Sequence, residues 1–230
     1  MRKEKTVPMK LRIDDLHTFE PLTENQEIVY RSWKDGNHLV LTGTAGTGKT
    51  FSALYLGLET ILDRGNQFEK VVITRSIVPT REVGFLPGSM EEKMEPYQGP
   101  YNAICTELFQ DSKAYEKLVD QDAIEFLSTS YIRGTTFNDA VIIVDEMQNL
   151  TFHELDSVIT RIDQNCRIIF CGDYLQTDFT KQSDKDGFGK FLKIIEHMTK
   201  FTVVTFNWSD IVRSDFVRDY IMTKEMLGIE

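Results

Sequence analysis

The sequence has 230 residues, of which 41% are hydrophobic and 27% are charged, and its formal net charge is −10. This composition is typical of an ordinary globular protein with a substantial core, and no stretch is long and apolar enough to span a membrane. The acidic balance argues against a protein that coats nucleic acid by bulk electrostatics, although a local basic groove stays compatible with it.

The first twenty residues are polar and mixed, and we expect residues 1–20 to form a loosely held N-terminal arm. No apolar segment follows the basic opening MRKEKTVPMK, so we expect no secretory signal here and a cytoplasmic protein. Cys105, Cys166 and Cys171 lack the paired spacing of zinc sites. We interpret them as reduced thiols in the core.

From residue 21 onward, strand-like runs alternate with helix-like patterns. The runs are NHLVLTG, KVVITRS, DAIEFLS, AVIIVDE, CRIIFCGD and FTVVTFN. They are almost continuously apolar, which is typical of strands covered on both faces. The sequence therefore predicts a single α/β domain over residues 21–230, a three-layer sandwich with a mainly parallel sheet and helices on both faces.

About fifty residues separate the second and third runs, which is too long for a simple crossover. This segment contains GFLPGSMEEKMEPYQGPYNA and then a charged helical pattern around Lys113 to Asp120. We expect an elaboration over about residues 79–122 at the carboxyl edge of the sheet.

The segment GTAGTGKT matches the phosphate-binding pattern G-x-x-x-x-G-K-[ST] and lies between an apolar run and an amphipathic pattern. Its glycines allow successive backbone N–H groups to point at phosphate oxygens, and the following helix adds its positive amino end. Lys49 is expected to reach the β- and γ-phosphates of ATP, and Thr50 to supply a hydroxyl to Mg²⁺. A purely structural glycine turn is the weaker explanation. The predicted nucleotide-binding residues here are Gly43, Thr44, Ala45, Gly46, Thr47, Gly48, Lys49, Thr50 and Phe51.

Two adjacent carboxylates, Asp145 and Glu146, follow the apolar run VIIV. Asp145 is the candidate to hold Mg²⁺, and Glu146 the candidate to orient or deprotonate the attacking water. The second carboxylate favours hydrolysis over transfer to an acceptor, because a kinase must keep water out. The alternative is that the pair stabilises the amino end of the next helix.

Three further polar residues are candidates for the same site. Gln26 precedes the first strand, where its amide would pair with the edge of adenine, and a solvent-facing helix position is the alternative. Asp173 and Gln176 follow the run CRIIFC, from which they would contact the γ-phosphate or its water. Ligands bind at the carboxyl ends of parallel strands, so these strand tips predict one crevice.

The chain resembles the PhoH family of ATPases over roughly Pro21 to Met222, through TENQ, GTAGTGKT, ITR, GFLPGSMEEKMEPY, IRGTTF, VIIVDEMQNLT, ITRI, CGDYLQTD and DIVRSDF. The resemblance implies a RecA-like ATPase core, related to the first motor core of superfamily 1 helicases, with ATP and Mg²⁺ as cofactors. It also implies RNA or single-stranded DNA as partners and a homo-oligomeric ring, with a hexamer favoured. Gln148 belongs to the DEMQN signature and is a candidate link to the strand tip at Gln176.

Hydrolysis at a phosphate loop usually needs a positive group on the transition-state oxygens. Arg213, in DIVRSDF, resembles the arginine that superfamily 1 motors place against the γ-phosphate, and it is the first candidate. Arg161 is the second candidate and Arg133 the third. A helix-end or surface ion pair is the alternative for each.

One RecA-like core cannot close around ATP without a second core, so motor action requires another subunit. In a ring the part of the elaboration between Gly84 and Tyr101 would face a neighbour or the bore. The candidates for nucleic-acid contact are its aromatic residues Phe85, Tyr97 and Tyr101 and the cations Arg75, Arg81 and Lys93, with a local core and solvated charges as the alternative.

Three functions stay open on the sequence. The first is an ATP-hydrolysing motor or remodeller, with helicase activity in its range, that acts on RNA or single-stranded DNA. The second is a nucleotide-gated assembly protein without a role for nucleic acid, which the acidic charge and single core favour. A small-molecule kinase is the remote third.

Overall fold

The computed structural model describes residues 10–76, 90–129, 132, 134–173 and 182–228, with the backbone alone at 90–93 and 182–186. Two of the predicted site residues, Arg133 and Gln176, lie outside the described residues. Arg81 and Phe85 of the predicted elaboration also lie outside them.

The described residues form one six-stranded sheet with the order β3-β2-β4-β5-β1-β6, in which every pair of neighbours is parallel. All of the predicted strand-like runs form strands. The strands are β1 (His38–Gly43), β2 (Lys70–Arg75), β3 (Ile124–Ser128), β4 (Ala140–Asp145), β5 (Arg167–Cys171) and β6 (Phe201–Phe206).

Helices connect these strands and cover both faces of the sheet, as the apolar runs predict. The described helices are α1 (Glu24–Lys34), α2 (Lys49–Leu62), α3 (Met90–Phe109), α4 (Ala114–Asp120), α5 (Phe152–Ile159), α6 (Gln182–Glu196) and α7 (Asp215–Met226). Side-chain caps begin two of them, because the Thr23 side chain accepts from Gln26 N and Thr151 forms a capping box with Glu154. A 3₁₀ helix, Met147–Asn149, follows β4 directly.

Two hydrophobic cores lie on opposite faces of the sheet. Along β1, Leu39 and Leu41 point into the core beneath α1 to α4, whereas Val40 points into the core beneath α5 and α6. Alternate residues of a strand point to opposite faces, so an almost unbroken apolar strand supplies both cores. The arrangement confirms the predicted three-layer α/β sandwich.

The described part of the N-terminal arm is packed against the domain, which corrects the prediction of a loosely held arm for residues 10–20. Leu11, Leu16 and Phe19 pack against the first core. The backbone N–H of His17 donates to the Leu108 carbonyl at 2.9 Å, and that of Leu11 donates to Gln121 Oε1 at 3.0 Å. Burial of these apolar side chains holds the segment on the domain, although most of its residues are polar.

The described part of the predicted elaboration, α3 and α4, also belongs to the first core. Tyr101 and Leu108 of α3 and Leu118 of α4 are buried there. The helices pack on the β2–β3 side of the sheet, so this segment forms part of the domain rather than a separate appendage. Within the described ranges, no helix has the length and apolar character needed to cross a bilayer.

Candidate active site

The carboxyl ends of the parallel strands meet at one edge of the sheet, and the glycine-rich loop 43–48 begins there. Gly43 has φ +106°, and a Cβ at this position would lie 2.0 Å from the Phe206 carbonyl oxygen of β6. Gly48 has φ +81° and caps the amino end of α2. Only glycine fits both demands, since other residues rarely adopt this conformation and none could approach β6 so closely.

Side-chain hydrogen bonds within the loop help to hold it. Lys49 Nζ donates to the carbonyl oxygens of Gly43 and Thr44, at 2.7 Å each. Burial lowers the pKa of Lys49, while the nearby Asp173 carboxylate acts in the opposite direction. Phosphate oxygens, as stronger acceptors for an ammonium group, would compete with these carbonyls for Lys49.

Asp145 lies at the tip of β4 and is only 5% exposed. Its Oδ1 accepts from Thr50 Oγ1 at 2.9 Å, and its Oδ2 accepts from Tyr101 Oη at 2.8 Å. Burial, and then the Glu146 carboxylate, raise the pKa of Asp145, whereas the hydrogen bonds from Tyr101 and Thr50 act in the opposite direction. A hydroxyl and a carboxylate side by side are the oxygen ligands that Mg²⁺ prefers, so Thr50 and Asp145 fit that ion.

Tyr101 belongs to α3, and sequence reasoning did not identify it as a partner of Asp145. The side chain is 1% exposed, so the suggested role in stacking on nucleic-acid bases is wrong. Burial, and next the Asp145 charge, raise the pKa of Tyr101, which keeps its hydroxyl protonated and able to donate. No local pattern in the sequence identifies this contact, because it joins residues 44 positions apart.

Glu146 follows Asp145 in the left-handed region, with φ 52°. Its Oε2 accepts from Gln148 Nε2 at 2.6 Å, and its Oε1 lies 3.8 Å from Arg75 Nη2 at the tip of β2. The Arg75 guanidinium also lies 5.8 Å from the centre of the Tyr97 ring. Arg75 therefore faces the Glu146 carboxylate, and its suggested contact with nucleic-acid phosphates stays a prediction.

Gln26 is buried beside the glycine-rich loop. Its Nε2 donates to the Thr47 carbonyl at 3.1 Å, and its Oε1 accepts from Leu22 N at 2.8 Å. The alternative of a solvent-facing helix position is therefore wrong. Recognition of adenine by Gln26 stays a prediction, and the amide retains one further N–H and one further lone pair for it.

An open cleft of about 820 Å³ brings most of the predicted site residues together. Its lining also includes Phe19, Leu22 and Tyr30, which sequence reasoning missed because isolated apolar residues in a polar segment carry no site signal. The predicted residues that line it are Gln26, Ala45, Gly46, Thr47, Gly48, Lys49, Thr50, Phe51, Asp145, Glu146, Asp173 and Arg213.

The two described arginine candidates lie in different places. Arg213 lines the cleft, and its Cγ lies 3.1 Å from the position that a Cβ on Gly46 would occupy. The Arg161 carbonyl, in contrast, accepts from Phe137 N at 2.9 Å, just before the start of β4. This contact lies near the amino ends of the strands, whereas the cleft lies at their carboxyl ends. The structure therefore does not bring Arg161 to the cleft of its own chain.

A family model described as PhoH-like protein matches residues 18–224 of the chain. The PhoH-like protein of Mycobacterium leprae is 33% identical over 207 residues, which cover 89% of this chain and 58% of that protein. Protein PhoH2 of Bacillus subtilis is 37% identical over 186 residues, which cover 76% of this chain and 41% of that protein. The chain thus spans only about half the length of these two relatives.

Solved structures with a similar backbone include the Pif1 helicase from Candida albicans, at 16% identity and a TM-score of 0.45, with coverage of 91% of this chain and 44% of that one. Another is the large terminase of a thermophilic bacteriophage in complex with ADP, at 11% identity and a TM-score of 0.49. This match covers 90% of this chain and 50% of the terminase chain. Likeness at this level carries no conclusion about activity.

Proposed function

This chain belongs to the PhoH family, and we propose from that premise that its cleft binds ATP with Mg²⁺ and hydrolyses the γ-phosphate. One observation carries the proposal. The glycine-rich loop, the Thr50–Asp145 pair at 2.9 Å and the Glu146 carboxylate all face the same cleft. A phosphate loop with a metal-binding carboxylate and an adjacent second carboxylate is the set of groups that hydrolysis requires.

Each residue of the cleft has a separate role in this proposal. The backbone N–H groups of the loop and Lys49 bind the phosphates, and Thr50 and Asp145 hold Mg²⁺. Mg²⁺ held by Thr50 and Asp145 would supply positive charge against the negative charge that develops on the phosphate oxygens. Glu146 orients the attacking water or accepts its proton. Arg213, whose Cγ lies beside Gly46, supplies positive charge for the transition state.

We further propose that hydrolysis serves a homo-oligomeric motor or remodeller that acts on RNA or single-stranded DNA, with a hexameric ring favoured. Family membership supports this part of the proposal. The acidic net charge of −10 favours the second candidate, an assembly protein whose oligomeric state responds to nucleotide without a nucleic acid.

The test compares ATP turnover of the wild-type chain with that of Glu146→Gln, with Glu116→Gln on an exposed part of α4 as the control. We expect Glu146→Gln to bind ATP as the wild type does and to lose turnover by about 10²-fold or more. Turnover at the wild-type rate in Glu146→Gln would contradict the proposal.

The same assays, with and without RNA or single-stranded DNA at low salt, distinguish the two candidates. Stimulation of turnover by either polymer supports the motor, whereas a nucleotide-dependent change in mass without polymer binding supports the assembly protein. The mass of the protein in solution is measured in the same buffer.

A further inference from the structure

The backbone at Glu146 adopts a conformation that side-chain-bearing residues seldom use. β4 ends at Asp145, and Glu146 then has φ 52° and ψ 43°, in the left-handed region. Such conformations persist where surrounding contacts hold them, and they cluster at functional sites. The turn starts the 3₁₀ helix Met147–Asn149 and returns Gln148 to the side of Glu146.

The Gln148 side-chain amide connects two strand tips. Its Nε2 donates to Glu146 Oε2 at 2.6 Å, and its Oε1 accepts from the backbone N–H of Asp173 at 3.0 Å. The bond to Glu146 is short because the acceptor is a carboxylate. Gln148 is only 4% exposed, so little water competes for its amide. The amide therefore ties the carboxylate that follows β4 to the backbone that follows β5.

Gly172 provides the space that this amide occupies. A Cβ at Gly172 would lie 2.4 Å from Gln148 Oε1 and 2.6 Å from Met147 Cγ. Glycine is needed here for the close approach of the neighbouring side chains. Gln148, which follows β4, thus makes the contact, and Gly172, which follows β5, leaves room for it.

Arg75 offers weaker support to the same carboxylate. Its Nη2 lies 3.8 Å from Glu146 Oε1, beyond hydrogen-bond distance, whereas the Gln148 contact is 2.6 Å. Gln148 therefore determines where Oε2 lies, and Oε1 faces the positive charge of Arg75.

We propose that Gln148 is a positioning residue that holds the Glu146 carboxylate in register with the tip of β5, so that movement of the Asp173 backbone changes the rate of hydrolysis. The inference rests on the proposed role of Glu146 in activating water. It adds a regulatory route, because a displacement of the tip of β5 would move the Glu146 carboxylate through Gln148.

The first test is Gln148→Met, which keeps the length of the side chain and removes its amide. We expect kcat to fall about tenfold, since general-base assistance is worth about 10²–10⁴-fold and only part depends on this contact. ATP affinity should stay unchanged, as expected when an interaction of the transition state is lost. Gln164→Met, at an exposed turn, is the matched control and should keep the wild-type rate.

A second variant, Gly172→Ala, reaches the same contact from the other strand tip. Its methyl group would displace the Gln148 amide, so we expect a similar loss in kcat with ATP binding retained. In the Glu146→Gln background, adding Gln148→Met should produce no further loss in the single-turnover rate, because the two residues act as one unit. An additive loss there would show that Gln148 acts through another group and would overturn the inference.

The failure of this inference and that of the proposed function give different results. An inactive wild-type chain overturns the hydrolytic role. An active wild type, with Gln148→Met and Gly172→Ala variants that keep the wild-type kcat, overturns only the positioning role.

A measurement that does not depend on activity is the NMR signal of the Gln148 side-chain amide in the nucleotide-free chain. This signal should shift in both Glu146→Ala and Gly172→Ala, and an unmoved signal in both would also overturn the inference.

Discussion

The glycine-rich loop and the acidic tip of β4 face the same cleft but are held in different ways. Lys49 and the Gly43 carbonyl, joined at 2.7 Å, are 6 residues apart, and Thr47 Oγ1 donates to the Thr44 carbonyl 3 residues away. Asp145, by contrast, is held by Thr50 and Tyr101, which are 95 and 44 residues away. The side-chain hydrogen bonds within the loop are therefore local, and backbone groups of the loop add contacts with Phe206, Val212 and Gln26. The Asp145 carboxylate, in contrast, accepts its side-chain hydrogen bonds from distant parts of the domain.

This difference has a functional consequence. Substitutions that remove the distant partners of Asp145 should spare the side-chain hydrogen bonds of the loop, and with them the binding of phosphate, while they disturb the carboxylates that the proposed hydrolysis requires. Three substitutions test whether binding and hydrolysis separate in this way.

The largest effect is expected for Lys49→Ala, in the loop itself. Loss of the ammonium group that faces the phosphates should lower kcat/KM by about 10²–10³-fold and weaken ATP binding as well. The free energy of unfolding should change by less than about 1 kcal/mol, because burial of the ammonium group offsets its hydrogen bonds. Steady-state kinetics, nucleotide titration and urea unfolding measure the three quantities.

Lys34→Ala, at the exposed end of α1, is the control for the lost charge. If Lys49→Ala loses turnover but binds ATP with wild-type affinity, the loop does not bind phosphate through Lys49. The expected division, with binding at the loop and hydrolysis at the tip of β4, would then be wrong.

A smaller effect is expected for Tyr101→Phe, which removes one distant support of Asp145. We expect kcat to fall about tenfold and the Mg²⁺ concentration for half-maximal turnover to rise, with Mg²⁺-free nucleotide binding unchanged. The free energy of unfolding should fall by about 1–2 kcal/mol, because a buried carboxylate loses a donor. The additional rise in melting temperature that Mg²⁺ gives over ADP alone should also shrink.

Tyr220→Phe on α7 removes a hydroxyl from an exposed tyrosine and should leave all of these quantities unchanged. An unaltered Mg²⁺ requirement in Tyr101→Phe would mean that Asp145 is positioned without α3.

The smallest effect concerns stability, in Asp145→Asn. The pKa of Asp145 is raised in the folded chain, so its contribution to stability is full below its unfolded pKa and is lost as the pH rises through its folded pKa. At pH 7 the uncharged amide should therefore increase the free energy of unfolding, although the proposed hydrolysis is lost. The gain should shrink as the pH falls through the folded pKa and should vanish below the unfolded pKa.

Urea unfolding at several pH values measures this difference, with the exposed Asp219→Asn as the control. A destabilised Asp145→Asn at pH 7 would show that the hydrogen bonds from Thr50 and Tyr101 outweigh the burial of the charge.

Most of the fold and the glycine-rich loop were predictable because their signals are local. Continuous apolar runs such as VVIT and VIIV report strands covered on both faces, and Gly43 and Gly48 report backbone positions with positive φ. Asp145 and Glu146 were also predictable, because a strand tip next to a phosphate loop has few other uses for two carboxylates. The packed arm was missed, since three scattered apolar residues carry no periodic signal.

The contacts that orient the site were not predictable, because they depend on which strands are neighbours. The sheet places β5 between β1 and β4, which brings the Asp173 backbone within reach of Gln148. Packing of α3 against the first core brings Tyr101 to Asp145. The sequence by itself determined the strands, the loop and the chemical groups at their tips, since backbone preference and burial pattern act over a few residues. Only the tertiary structure decided how those groups orient one another, because strand order and helix packing join residues that lie far apart in the chain.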